Sequence, residues 1–225
     1  MPYAKIMPML ILASSSPRRQ QLLSLLGVAY ETRSAAIDER VQPGEAPQDY
    51  VSRLSLLKSR AVNPPSGESW IILAADTAVV AENQILGKPA DRTQAAAMLR
   101  KLRSRTHSVY TALSLRDTRS GTLLTDLCET EVTMRSYHEA EIEEYVASGD
   151  PLDKAGAYAI QHTGFNPVEQ ITGCYTNVVG LPLCHLVDLL DKVAIRHQEY
   201  PVRRCRTSKG YDCKMIEKIQ EFGSP

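Results

Sequence analysis

The apolar run Met9-Leu10-Ile11-Leu12-Ala13 gives way, after Ser14-Ser15-Ser16-Pro17-Arg18-Arg19, to Leu22, Leu25 and Leu26 at helical spacing, and Gly27 ends the pattern. This change of period predicts a buried strand feeding a helix, with Ser16 as N-cap and Pro17 as first helical residue. Residues 48–62, with Tyr50, Val51, Leu54, Leu57 and Lys58, predict a second amphipathic helix, followed by the loop Pro64-Pro65-Ser66-Gly67. Trp70 to Ala75 is continuously apolar, as suits a strand buried on both faces, and delivers Asp76-Thr77 at its end. Residues 91–105 predict a third helix with Ala95, Met98, Leu99 and Leu102 inward. Thr106 to Arg116 and Thr122 to Met134 alternate as strands around a Ser120-Gly121 turn. Glu139 to Val146 reads as a short acidic helix stopped by Gly149, and Leu183 to Val193 as a terminal helix burying Leu186, Leu189 and Leu190. Strands that first alternate with helices and then form a hairpin predict an α/β fold: a mixed twisted sheet with flanking helices.

Composition narrows the partners. The 225 residues, 43% hydrophobic, are enough for one large domain or two small lobes. Lysine plus arginine number 26 and aspartate plus glutamate 26, so no global field draws the chain to nucleic acid or membrane, and any basic site must be local. Five cysteines without a C-x-x-C pair argue against a disulfide framework and a zinc site, and fit a reducing, cytoplasmic setting. The apolar stretch within Met1 to Leu12 is too short to span a bilayer and leads into a strand, so neither a signal peptide nor a transmembrane helix is expected. From about Lys192 onward the chain turns basic, with Arg203, Arg204, Arg206, Lys209, Lys214 and Lys218, and reads as a solvated extension rather than a nucleic-acid arm.

The candidate chemistry begins at the first helix. Residues after an N-cap ordinarily favour carboxylates, because the free N–H groups there carry partial positive charge. Arg18 and Arg19 reverse that preference, and with three hydroxyls beside them they suit a phosphate. Asp76 is a carboxylate on an apolar strand and must be hydrogen-bonded, charge-paired or metal-bound. Gly87-Lys88-Pro89 puts a lysine in a tight turn, without the glycine and hydroxyl spacing of a P-loop. Together Arg18, Arg19, Lys58 and Lys88 can offset a polyphosphate while Glu39 and Asp76 hold a divalent ion, the inventory for phosphoanhydride hydrolysis.

The ordered strings A-S-S-S-P-R-R, I-D-E-R, L-L-K-S-R-A, A-A-D-T, G-K-P, T-H-S-V-Y-T, D-K-A-G-A-Y-A-I-Q and N-V-V-G-L-P closely resemble the Maf family of nucleotide pyrophosphatases over residues 9–191. Residues 1–8 and 192–225 flank that domain as extensions. The resemblance implies two lobes flanking a cleft, related to inosine triphosphate pyrophosphatases, and hydrolysis of nucleoside triphosphates to monophosphate and pyrophosphate with magnesium, manganese or cobalt. It implies that Asp76 activates water, that Ser14, Arg19, Lys58 and Lys88 surround the phosphates, and that Glu39 and Asp76 contact the metal. Arg18, Thr77 and Gln161 match substrate-selecting positions and look like the branch acting on dTTP and UTP. A glutamine amide can donate to O4 and accept from N3–H of thymine or uracil, whereas a carboxylate can only accept. His162 to Pro167 departs from the glycine-rich loop common in the family and reads as structural. The family's common assembly is a homodimer, which the resemblance makes a candidate here without the sequence itself fixing the oligomeric state. The family name also ties it to septum formation, so the rival expectation is a nucleotide-binding regulator of division with incidental hydrolysis.

Overall fold

The computed structural model describes residues 9–34, 36–66 and 69–197; residues 1–8, Ala35, Gly67, Glu68 and the basic extension from 198 onward lie outside the described residues. The elements, in chain order, are β1 (Met9–Leu12), α1 (Pro17–Ser24), β2 (Tyr30–Thr32), α2 (Pro47–Ala61), β3 (Trp70–Ala81), β4 (Gln84–Leu86), α3 (Arg92–Leu102), β5 (Thr106–Asp117), β6 (Leu123–Met134), α4 (Glu139–Ala147), β7 (Val168–Thr172), α5 (Tyr175–Val179) and α6 (Leu183–Lys192). Two short 3-10 turns, Asp150–Asp153 and Ala155–Ala157, connect α4 to β7. The seven strands form one sheet in the order β2-β1-β3-β5-β6-β7, with β4 also on β3. β1 runs parallel to β2 and β3, and the other pairs are antiparallel. The sheet is mixed and flanked by helices, as the patterning predicts.

Side-chain alternation along β3 sorts the core into two faces. Ile71, Leu73, Ala75 and Val79 join Leu10 and Leu12 in the large cluster, packed with α1, α3, α4 and α6. Ile72 and Ala74 pack with Ile11 and Val62, while Ala78 and Val80 pack with Val51 of α2 on the opposite face. Burying one such aliphatic side chain contributes about 1.5–3 kcal/mol, so both faces are strongly specified.

One expectation is corrected here. Asp76 and Thr77 do not end the strand; β3 continues to Ala81. The apolar residues Ala78 to Ala81 extend it, and β5 pairs with it throughout, Asp76 opposite Ala112 and Thr77 opposite Thr111. The other edge is discontinuous: β1 pairs with Trp70–Leu73 and β4 with Val79–Ala81. Asp76 therefore sits mid-strand, at an interval of β3 that has a strand partner on one side only.

β2, β4, β7 and α5 go beyond the sequence expectations. β2 and β4 have three residues each, too short for a period to register. β4 is joined to β3 through Glu82 and Asn83, both at positive φ (52° and 60°), the backbone that a two-residue hairpin turn demands.

Candidate active site

Asp76 points to the α2 face of the sheet, together with Ala74 and Ala78, and is only 6% exposed. Lys58 lies on the stripe of α2 that also carries Val51, Leu54 and Ser55, so its stem runs along the sheet and its ammonium reaches the carboxylate. Lys58 Nζ is 2.5 Å from Asp76 Oδ1 and 2.8 Å from Glu39 Oε1. Burial raises the Asp76 carboxyl above the ordinary range; the Lys58 and Arg19 charges and the Lys58 hydrogen bond oppose that shift, and the Glu39 charge adds to it. The backbone carrying Glu39 is fixed by Tyr50, whose hydroxyl donates to the Glu39 carbonyl at 3.0 Å. Burial first, then the Asp76 and Glu39 charges, push the Tyr50 phenol up to about 12. Arg53 fastens the same loop, donating to the Arg40 carbonyl and pairing with Glu45 at 2.5 Å.

Thr77 points to the other face, where α1 begins. Ser16 is the N-cap and Pro17 opens the helix, as predicted. Arg19 reaches back over that start: Nε donates to the Gly180 carbonyl at 2.9 Å, Nη2 to Thr77 Oγ1 at 3.1 Å and Nη1 to Ser14 Oγ at 3.4 Å. All three partners are neutral oxygens. Burial lowers the guanidinium pKa; the Asp76 charge opposes this, Arg18 reinforces it and Glu39 opposes it more weakly. A desolvated cation held by neutral acceptors leaves its charge available to an anion.

The remaining predicted residues are less tightly gathered. Arg18 pairs with Asp153 at 3.4 Å, and Asp153 is held in turn by Lys154 at 2.7 Å. Lys88 is exposed, and neither it nor Gln161 makes a hydrogen bond or ion pair with the other predicted site residues among those described. The turns next to them are nevertheless tied to the site strand. Gly156 N–H donates to the Gly87 carbonyl at 3.1 Å, and a Cβ at Gly156 (φ +68°) would lie 2.9 Å from Val79 Cγ1 of β3. The loop holding Gln161 is braced by Tyr145, whose hydroxyl accepts from Ala159 N–H at 3.0 Å and whose ring lies 4.4 Å from Phe165 and 4.7 Å from His162. His162 Nδ1 accepts from Phe165 N–H at 2.9 Å, a bond that fixes the loop.

The structure thus assembles two groups at the open interval of β3: Glu39, Lys58 and Asp76 on one face, Ser14, Arg19 and Thr77 on the other. Among the described residues no cluster of three or more His, Cys, Asp or Glu forms a metal cage. Tyr50, Thr111 and the Gly180 carbonyl are partners that side-chain inspection misses. The first two act through their hydroxyls on residues distant in sequence, and the third is a backbone atom.

The family described as Maf-like protein matches residues 9–193. The dTTP/UTP pyrophosphatase of Anaeromyxobacter dehalogenans is 50% identical over 187 residues, 82% of this chain and 94% of that protein. That of Desulfotalea psychrophila is 48% identical over 181 residues, covering 80% and 92% respectively. That of Escherichia coli O157:H7 is 48% identical over 185 residues, covering 82% and 93%. With a family match across most of its length and relatives near one-half identity over nearly their whole length, this chain belongs to the Maf-like protein family.

Proposed function

We propose that this protein hydrolyses nucleoside triphosphates, dTTP and UTP foremost, between the α- and β-phosphates to release monophosphate and pyrophosphate. The observation that carries the reading is a buried carboxylate of raised pKa, Asp76, set between the ammonium of Lys58 and the neutrally held guanidinium of Arg19. Relatives named for that activity, at 48–50% identity, support it.

Lys58 engages Asp76 Oδ1, and Oδ2 is the oxygen that takes a proton from the attacking water. Burial raises the Asp76 pKa, which makes its carboxylate a stronger proton acceptor. Arg19 and Ser14 bind phosphate oxygens, with Lys58 and Lys88 adding charge as the pyrophosphate leaves. Arg18, Thr77 and Gln161 are the residues through which the pyrimidine is selected, the Gln161 amide offering both a donor and an acceptor.

A divalent cation fits this donor set. Glu39 and Asp76 already share one cation, the Lys58 ammonium, and two carboxylate oxygens suit a hard ion that draws its other ligands from phosphate and water. Magnesium, manganese or cobalt held there supplies charge neutralisation at the phosphates. The catalytic unit in this reading is residues 9–191, in the family's homodimer. The buried cysteines Cys128, Cys174 and Cys184 accord with a cytoplasmic setting, and among the described residues no helix is long and apolar enough to cross a membrane.

The test is product chromatography after incubating the protein and Asp76→Asn with magnesium or manganese and dTTP, UTP, CTP, dITP or 7-methylguanosine triphosphate. Monophosphate and pyrophosphate from dTTP or UTP, lost in the variant, are expected. Tight nucleotide binding without turnover would support the division-regulator reading instead.

A further inference from the structure

The motif Asn177-Val178-Val179-Gly180-Leu181-Pro182 enters the site through the Gly180 carbonyl on Arg19, and a second path leads from it to the same guanidinium. Arg19 Nη2 donates to Thr77 Oγ1 at 3.1 Å, Thr77 Oγ1 lies 2.9 Å from Thr111 Oγ1, and Thr111 Oγ1 donates to the Asn177 carbonyl at 3.2 Å. Each threonine hydroxyl carries one proton. Only one assignment turns all three contacts into bonds: Thr111 gives its proton to Asn177, Thr77 gives its proton to Thr111, and a Thr77 lone pair receives Arg19. Thr77 then has no proton left for a phosphate oxygen, which can only accept.

Both paths start from one anchored turn. Asn177 Nδ2 donates to the Val109 carbonyl and to Thr130 Oγ1, each at 2.9 Å, which fixes α5 to β5 and β6. Gly180, at φ +117°, closes the helix by donating to the Asn177 carbonyl at 3.0 Å. A Cβ there would meet Thr77 Oγ1 at 3.5 Å and Arg19 Nε at 3.7 Å, ordinary contacts, so it is the positive φ rather than space that calls for glycine.

We infer that Thr77 and Thr111 form, with the Asn177–Gly180 turn, a one-way hydrogen-bond relay that orients the Arg19 guanidinium toward the phosphates, so that Thr111 is a positioning residue acting through Thr77. The inference rests on the reading that Arg19 binds phosphate.

Thr111 is fully buried and out of reach of any substrate, which makes Thr111→Val the decisive variant. Inhibition by inorganic pyrophosphate, with kcat and KM for dTTP, UTP and CTP, is measured on the full chain for Thr111→Val, Thr77→Val, Thr77→Ser and Arg19→Gln. Thr111→Val and Thr77→Val are each expected to weaken pyrophosphate inhibition about five- to tenfold, the net worth of one ordinary hydrogen bond. In Thr111→Val, KM should rise by a similar factor for all three nucleotides and carry most of the loss, with the preference among them unchanged, and Thr77→Ser should keep the parent inhibition. If Thr111→Val does not fold, Thr77→Val at its half-buried position decides alone. Loss of pyrophosphate inhibition in Arg19→Gln but in neither valine variant would overturn the relay. A shift in nucleotide preference in Thr77→Val with intact pyrophosphate inhibition would overturn it in favour of base reading. Unchanged inhibition in Arg19→Gln would overturn the phosphate reading on which it rests.

Discussion

Two cations flank Asp76, and the sheet holds them in opposite ways. Lys58, on the α2 face, sits between two carboxylates at 2.5 and 2.8 Å. Arg19, on the α1 face, has three neutral oxygens at 2.9 to 3.4 Å. With formal charges counted, the first group (Glu39, Asp76, Lys58) carries one net negative charge and the second one net positive. Strand alternation enforces the separation, because Asp76 and Thr77 are consecutive residues of β3 and must face apart. They communicate only because β3 lacks a strand partner on one edge between Leu73 and Val79. A site with a cation-attracting wall and an anion-attracting wall on either side of one strand is suited to a metal-bound polyphosphate, and neither wall alone would be.

The largest effect should come from Asp76→Asn, which keeps size but removes proton acceptance and charge. Loss of general-base catalysis lowers kcat by about 10²–10⁴-fold. Stability should move the other way or not at all. The folded pKa of Asp76 is raised, so the native state binds the proton more tightly than the unfolded chain, and the ionised carboxylate costs stability as pH rises through that raised value. An amide carries no such cost, and differential scanning calorimetry at pH 7 should find the variant melting no lower than the parent. A lower melting point with unchanged turnover would make Asp76 structural and dissolve the comparison.

Lys58→Met tests the negative wall next. It strips the buried carboxylate of its ion pair, a change that typically costs about 3–5 kcal/mol. The loss should shrink on acidification, because protonated Asp76 no longer needs a partner. Lys58 lowers the Asp76 pKa in the parent, so its removal should also shift the acid limb of the kcat profile to higher pH. Chemical denaturation at several pH values, paired with that profile, checks both.

The same contrast explains what was legible in the sequence. Ser16, Pro17 and the two arginines could be read because capping is local, and the structure keeps that helix start. Asp76 stood out as a polar residue in an apolar run, but its mid-strand position did not, since the length of β3 depends on pairing with β5, a partner dozens of residues away. Thr111 and Gly180 lie in motif strings of the sequence, but their roles were not legible, for related reasons: one is joined to Thr77 by register across two strands, and the other contributes a carbonyl oxygen that every residue possesses. Lys88 was legible as a lysine in a tight turn and Gln161 only through the resemblance, and the contacts among the described residues tie their turns, rather than their side chains, to β3.

An acid-sensitive residue outside both walls sharpens the assignment of pH effects. His107 is 4% exposed, with Nε2 on the Tyr158 hydroxyl at 2.8 Å, and burial lowers its pKa to about 4. A folded pKa below the unfolded value of about 6.5 means that the unfolded chain binds the extra proton first, so stability falls as pH drops from about 6.5 to 4, by about 3 kcal/mol in all. His107→Gln should flatten that slope in melting curves. The acid limb of kcat should remain, because it belongs to Asp76; its disappearance would mean that acid inactivation is unfolding.

The smallest expected effect concerns Arg18, which is intermediate between the two flanking cations, with one carboxylate partner at 3.4 Å and with Asp153 62% exposed at its side chain. An exposed pair of this kind contributes less than about 1 kcal/mol to stability, so Asp153→Asn should scarcely move the melting temperature. Lys154 keeps its bond to Asp150 at 2.9 Å, so the turn should hold. What changes is charge: Arg18 loses its compensating anion and becomes more like Arg19. A triphosphate then no longer competes with Asp153 for the guanidinium, and KM should fall by about twofold at low ionic strength, where exposed charges are least screened. Raising the salt to about 0.5 M should erase the difference between variant and parent. An unchanged or higher KM at low salt would mean that Asp153 holds Arg18 in its working position, and that the positive wall, like the negative one, uses a carboxylate to place a cation.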